Sequence, residues 1–400
     1  NVSFSPFTLA GHTFLGAGVE LNPGILRFGA VYGRFQKAVP EDTTGVPGNT
    51  LYQMALPAYQ RNGYAVKLGI GSEKNYFDLI FLKAHDDSTS IPYTPVRFDV
   101  NPAENTVLGI SNKFTLFKRV TWHNELAASI YTLDTRAERI DISDIPMQNA
   151  VENLFDPKNS TQFLSALESR LSYRNTGFSL QLKYRRIDPD YKSMGAYYFL
   201  TDLEQYTITP SFSLFKHKVF INGSLGLQRD NLNDKKLATT HRTIGSFNVA
   251  YNPNATFGVN LKYSNYGISQ NDGLKQLTDT VRVQQVTKNI GVSPRLNFVN
   301  EQLSHNITMY IGYQDLQDDN RFTSVYTEMS SFNSQLAYNL RVLNSQFSVN
   351  PSLSYISSAF QTGETRSLGL SLGAGTPFWE NALTMHLLLR YNKNYSERDS

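Results

Sequence analysis

The chain has 400 residues, 40% of them apolar and 18% charged, with a net charge of +3 and no cysteine. These numbers exclude a disulfide framework and a cysteine metal site, and they give no electrostatic case for binding nucleic acid. No run approaches the roughly 18–20 apolar residues of a membrane-spanning helix, since the most apolar stretch, 382–390, contains His386 and ends at Arg390.

From Asn1 onward the residues read as strand. Alternation of apolar and polar side chains predicts strands at 2–9, 14–21, 25–38, 62–71, 76–86, 107–117, 120–133, 164–174, 178–187 and 205–216. It continues at 219–229, 241–251, 256–268, 281–298, 303–315, 322–342, 347–359, 365–376 and 382–396. The segment 178–186 sets Phe178, Leu180, Leu182 and Tyr184 against Ser179, Gln181, Lys183 and Arg185. In 206–214, Tyr206, Ile208, Phe212 and Leu214 oppose Thr207, Thr209, Ser211 and Ser213. Such a period of two marks a sheet with one apolar and one polar face. Pro294 and Pro210 cannot donate to a ladder, so a bulge is expected at 281–298 and irregularity at 205–216. Residues 147–155 read as two helical turns.

Nine tight reversals separate alternate strands, at 22–24, 72–75, 118–119, 175–177, 217–218, 252–255, 300–302, 344–346 and 378–381. The intervening connections are mostly long, roughly 40–61, 88–105, 135–162, 188–204, 230–240 and 269–280, with shorter ones near Asp318 and Gly363. Strands of this length suit a tilted crossing of the hydrocarbon layer, which takes about nine to eleven residues. Sandwich strands run about five or six. Aromatic residues flank many of the tight turns, as an interfacial girdle requires.

The fold class expected is therefore all-β: a transmembrane antiparallel up-and-down β-barrel of about 18–20 or more strands. Short turns would face the periplasm and long loops the exterior, with residues 1–400 forming one domain. Nineteen strands is an odd number, so the reading also expects a truncated chain, lacking at least one strand and an upstream plug or periplasmic domain.

Three stretches, 1–24 (NVSFSPFTLAGHTFLGAGVELNPG), 184–213 (YRRIDPDYKSMGAYYFLTDLEQYTITPSFS) and 247–266 (FNVAYNPNATFGVNLKYSNY), resemble large outer-membrane β-barrel proteins of Bacteroidota. The resemblance implies a Gram-negative outer-membrane location and points toward the type 9 secretion and gliding machinery of that phylum. It carries no functional residues across.

No catalytic, cofactor or metal constellation emerges. The seven histidines are scattered, at 12, 85, 123, 217, 241, 305 and 386. The glycine-rich stretches 69–72 and 369–375 lack the helix and ending of a phosphate loop, and glycine in a strand more often marks a bend or close packing. Carboxylates at 41–42, 86–87, 141, 144, 188, 190, 230, 234, 315 and 318–319 could offer oxygen ligands to calcium, but their spacing matches no EF-hand, and solvated loops are the expectation. Lys183, Arg185, Lys262 and Arg341 lie opposite strong apolar sets, and each would cost about 2–4 kcal/mol at the lipid midplane, so they are the lumen-facing candidates. The expected function is transport or translocation of polar solutes or polypeptides across the outer membrane. The alternative is a non-transporting barrel that anchors surface or secretion machinery. Outer-membrane lipid and proteins of a secretion or uptake complex are the expected partners; no cofactor, enzymatic role or nucleic acid is expected.

Overall fold

The computed structural model describes residues 2–41, 56–95, 98–141, 155–196, 200–274, 277, 282–378 and 383–398. The 147–155 helix expectation lies almost wholly outside the described residues, as does the reversal after Phe378. Strand occupies 69% of the chain and makes the fold all-β.

The strands in chain order are Leu9–Ala10 (β1), Leu15–Leu21 (β2), Leu26–Gln36 (β3), Gln60–Gly71 (β4), Tyr76–Asp87 (β5), Glu104–Leu116 (β6) and Val120–Thr132 (β7). Next come Thr161–Asn175 (β8), Phe178–Ile187 (β9), Gly195–Ala196 (β10), Leu203–Leu214 (β11), Val219–Arg229 (β12), Ala238–Tyr251 (β13) and Phe257–Asp272 (β14). The last are Gln284–Val299 (β15), Leu303–Asp318 (β16), Met329–Val342 (β17), Ser348–Phe360 (β18), Gly363–Phe378 (β19) and Leu383–Arg398 (β20). One helical turn, Ser324–Thr327 (α1), precedes β17. Eighteen strands are long and follow one another in antiparallel up-and-down order. The two short ones, β1 and β10, pair in parallel.

Two compact units divide the chain: 1–172 with 183–204, and 173–182 with 205–400. In the first, β2 through β7 pair each with the next in antiparallel ladders, with one register shift between Arg34 and Gln36. In the second, β12 through β20 likewise pair each with the next, antiparallel throughout.

Three expectations are revised. Residues 2–9 do not form a strand: Thr8 N–H donates to Ser5 O at 3.2 Å and Phe4 N–H to Leu9 O at 2.9 Å, folding the segment on itself. Ser5-Pro6 supplies a favoured start for such a turn, because proline presets φ for its second position. The 322–342 strand begins only at Met329. Asp318 draws the preceding residues into a turn by accepting from Thr323 Oγ1 at 2.6 Å and Thr327 Oγ1 at 2.5 Å. Pro294 makes no bulge either: the β15–β16 ladder lapses between Val292↔Ile311 and Arg295↔Thr308 and resumes in the same register. The proline lacks the N–H that β16 would accept. Pro351 stands beside a similar lapse between β17 and β18.

Candidate functional site: the covered sheet face of the first unit

The sheet of the first unit has two unlike faces. On one, Tyr32, Tyr64, Leu68, Leu79, Leu108 and Leu126 are exposed. On the other, cross-strand rows are built from small residues in the middle and charged ones toward the tight turns. One row runs Glu20, Gly29, Lys67, Ile80, Gly109, Ala127 across β2 to β7. The next row toward the turns runs Arg27, Gly69, Asp78, Ser111, Glu125.

Small side chains leave a trough, and two segments of the unit's own chain lie in it. Phe4, Phe7 and Leu9 join Val31, Ala65, Ile80, Leu82, Val107, Ile187, Tyr191 and Met194 in one buried cluster. The approach is closest at the glycines. A Cβ on Gly29 would stand 2.7 Å from the Phe4 ring, and one on Gly109 would stand 2.6 Å from Thr8 Cγ2. Burial of one phenylalanine here contributes about 1.5–3 kcal/mol.

Polar contacts hold the backbone of segment 4–10. Tyr191 OH donates to Phe7 O at 2.8 Å and Ser193 Oγ to Thr8 O at 2.5 Å. Burial pushes the Tyr191 phenol above its ordinary pKa, so it stays a donor. Met194 N–H donates to Asn105 Oδ1 at 2.9 Å, tying β10's approach to the wall. From the segment itself, Ser5 Oγ donates to Glu125 Oε2 at 2.8 Å. Ser111 Oγ serves the other carboxylate oxygen at 2.7 Å.

Charges on this face are paired. Arg27 grips Asp78 through Nε and Nη2 at 2.7 and 3.0 Å, with Gly69 leaving the space that Asp78 enters. Lys67 Nζ meets Glu20 Oε1 at 2.5 Å and stands 5.0 Å from the Phe4 ring centroid. Arg61 holds Asp86 in the same forked manner.

Arg185 lies 5.7 Å from the Phe7 ring centroid and 3.7 Å from Glu168 Oε2, so this candidate belongs to the covered face. Lys183 is two residues away on the same strand face. In the second unit, Lys262 sits in the row Asn248, Lys262, Gly291, Gly312, Asn333. Arg341 pairs with Ser304 and Ser348, and its Nη2 donates to Gln346 Oε1 at 3.3 Å. That face is largely polar. Its glycines again mark close packing, here of Tyr310 against Gly291 and Gly312. The opposite face exposes Phe247, Leu261, Tyr263, Ile290, Tyr313, Phe332 and Leu336.

A hydrolase constellation is not assembled around the buried carboxylate. His123 Nε2 lies 3.2 Å from Glu125 Oε1 and 3.3 Å from Tyr76 OH, so one nitrogen serves both and neither serine hydroxyl touches the ring. A nucleophile needs its base within hydrogen-bond reach. The loop carboxylates serve nearby groups: Asp134 bonds Arg136, Asp188 bonds Ser165 of β8, and Asp230 accepts from the Thr240 N–H of β13. Among the described residues no group of three or more His, Asp or Glu is arranged to hold a metal ion. The sequence reading missed the trough. The signal was the set of small residues, Gly29, Gly33, Gly63, Ala65, Ala84, Gly109 and Ala127, recurring on one face.

No family model matches the chain, and no curated protein matches it.

Proposed function

We propose that this chain is a closed β-barrel of a Gram-negative outer membrane, acting in transport or translocation of polar solutes or polypeptides. The observation that carries the reading is the exposed apolar face of both units. Rows such as Ile221, Val249, Leu261, Val292 and Ile311 cross five strands with no second layer of described residues upon them. Monomers in water rarely expose contiguous apolar surface of this extent, and lipid tails cover it without a partner sheet. Strands of 10 to 16 residues, as in β9 and β14, are long enough to cross at a tilt. On the apolar face of the first unit, a groove of about 650 Å³ lined by Leu68, Leu79, Phe81, Leu108 and Leu126 suits acyl chains.

The polar face of the second unit would line the lumen. Asn248 Oδ1 and Asn260 Oδ1 have no protein partner there, as expected of a wetted wall. The covered face of the first unit favours a second reading, a barrel that anchors or assembles surface machinery and does not conduct.

Single-channel recording of the reconstituted chain separates the two. Steady ion current supports transport; a silent bilayer, for the protein and for a variant deleted of residues 2–10, supports the scaffold. A chain that stays monomeric in water without detergent overturns both.

A further inference from the structure

Two tight turns break the rules for tight turns in the same way. Between β6 and β7, Arg119 N–H donates to Leu116 O at 3.1 Å, and the two central residues, Phe117 and Lys118, have φ of 52° and 59°. Between β11 and β12, Phe215, Lys216 and His217 have φ of 52°, 56° and 67°. Turns with positive φ at both centres belong to Asn-Gly or Asp-Gly. Elsewhere Gly24 and Gly177 take this conformation at 65° and 77°, and Gln346 takes it at 55° in the turn between β17 and β18. A bulky residue in the left-handed region is a genuine outlier, and such strain collects at functional positions.

The two strained phenylalanines are also, among the described residues, the most exposed aromatics at the tight turns between paired strands. Phe117 is 90% exposed and Phe215 is 74% exposed. Each is followed by exposed cations, Lys118 and Arg119 in one turn, Lys216 and Lys218 in the other. The His217 imidazole turns back to Ser213 Oγ at 2.6 Å and stacks on Phe220, so the lysines are the outward charges. Leu-Phe-Lys-basic thus occurs twice, once in each unit. Fold stability explains neither the conformation nor the exposure.

We infer that these two turns are phospholipid anchors: the phenylalanine ring enters the acyl boundary and the paired cations bind anionic headgroup phosphates. The inference rests on the membrane reading above. An aromatic beside cations matches the layered chemistry of that boundary, apolar tails below and phosphate above. Basic residues near an anionic surface each add about fivefold in association. The outward side chains just inside the first turn, Leu116, Phe114 and Trp122, continue the apolar surface.

Trp122 reports directly on the lipid beside the first turn. The chain has two tryptophans, so W379F leaves Trp122 alone. The full chain carrying W379F is reconstituted in phosphatidylcholine vesicles containing equal fractions of dibrominated phosphatidylcholine or dibrominated phosphatidylglycerol. Preferential quenching by the glycerol lipid is expected, with a relative association constant of about 25, about fivefold for each of the two cations. Adding K118S/R119S should bring that ratio toward one while quenching by the choline lipid persists, which shows that the variant is folded and inserted. Equal quenching by both lipids in the parent, or a preference that survives the double substitution, overturns the inference and leaves the membrane reading standing. Absence of quenching by either lipid overturns both.

Discussion

Replacing Phe7 by alanine tests whether segment 4–10 is part of the folded wall or merely rests on it. The ring is 1% exposed, stands edge-on to Tyr191 at 6.3 Å between centroids, and has Arg185 over it. Large-to-small substitution of a fully buried phenylalanine costs about 3–5 kcal/mol, the spread reflecting how far the site collapses. Here collapse is limited, because Tyr191 and Thr8 are themselves pinned, one by its bond to Phe7 O and the other by Ser193. The upper half of that range is expected, read as the shift in urea unfolding midpoint of the protein in lipid vesicles at unchanged slope. Gly109→Val is the converse perturbation. Its Cβ would intrude to 2.6 Å from Thr8 Cγ2 and push the segment off the wall, costing about 1–3 kcal/mol. Both variants should expose the 4–10 backbone to protease under native conditions. A Phe7→Ala midpoint shift worth less than about 1 kcal/mol, with unchanged proteolysis, would refute the packing argument.

Lys118→Asn should stabilise the protein in uncharged phosphatidylcholine vesicles by about 1 kcal/mol, since asparagine tolerates the left-handed conformation at φ 59° better than a long side chain does; a lower unfolding midpoint would count against strain in that turn. Asp78→Ala should destabilise by about 3 kcal/mol, because it leaves the Arg27 guanidinium, only 17% exposed, without its forked partner. A change under 1 kcal/mol would mean that water reaches this pair. Burial holds the His12 imidazole below its ordinary pKa of 6.5, nearby Arg61 adds to the effect, and the bond to Thr13 O opposes it. A depressed base favours the neutral folded form, so its contribution is complete above pH 6.5 and is lost as pH falls from there through the folded value. Unfolding midpoints measured from pH 7.5 to 5 should decline for the parent and decline less for His12→Asn. Parallel curves would dismiss the effect.

Local chemistry explains which parts of this fold were legible. The strands 178–187 and 219–229 coincide with β9 and β12 because their alternation ends at turn formers, Asn-Thr-Gly before Phe178 and His-Lys before Val219. Alternation reports two faces of one sheet, and the two faces of β14 and β17 are as the pattern implied. It says nothing about what lies on each face. Segment 2–9 alternates too, yet its Phe4 lies against Gly29 and its Thr8 against Gly109, far away in sequence. The same blindness hid the trough, since glycine and alanine carry little weight in an apolar–polar pattern. Their meaning appears only when cross-strand pairing lines them up in a row. Lys183 and Arg185 alternate with Leu182 and Tyr184 along β9, but the aromatic partner of Arg185 comes from residue 7, which strand periodicity cannot reveal.

A single sheet layer exposes two surfaces, and its stability depends on what covers each. In the first unit one surface is sealed by residues of the same unit at van der Waals distance, with Arg27, Lys67 and Arg61 each matched to a carboxylate. Its other surface is hydrocarbon throughout the strand centres. Water on that surface would forfeit a substantial part of what the buried cluster contributes, because half-exposed leucines at 68, 79 and 108 each lose about 1 kcal/mol of burial. An apolar covering on that side, with the packed face on the other, would recover this burial. That asymmetry, more than the number of strands, is what supports the membrane reading proposed above.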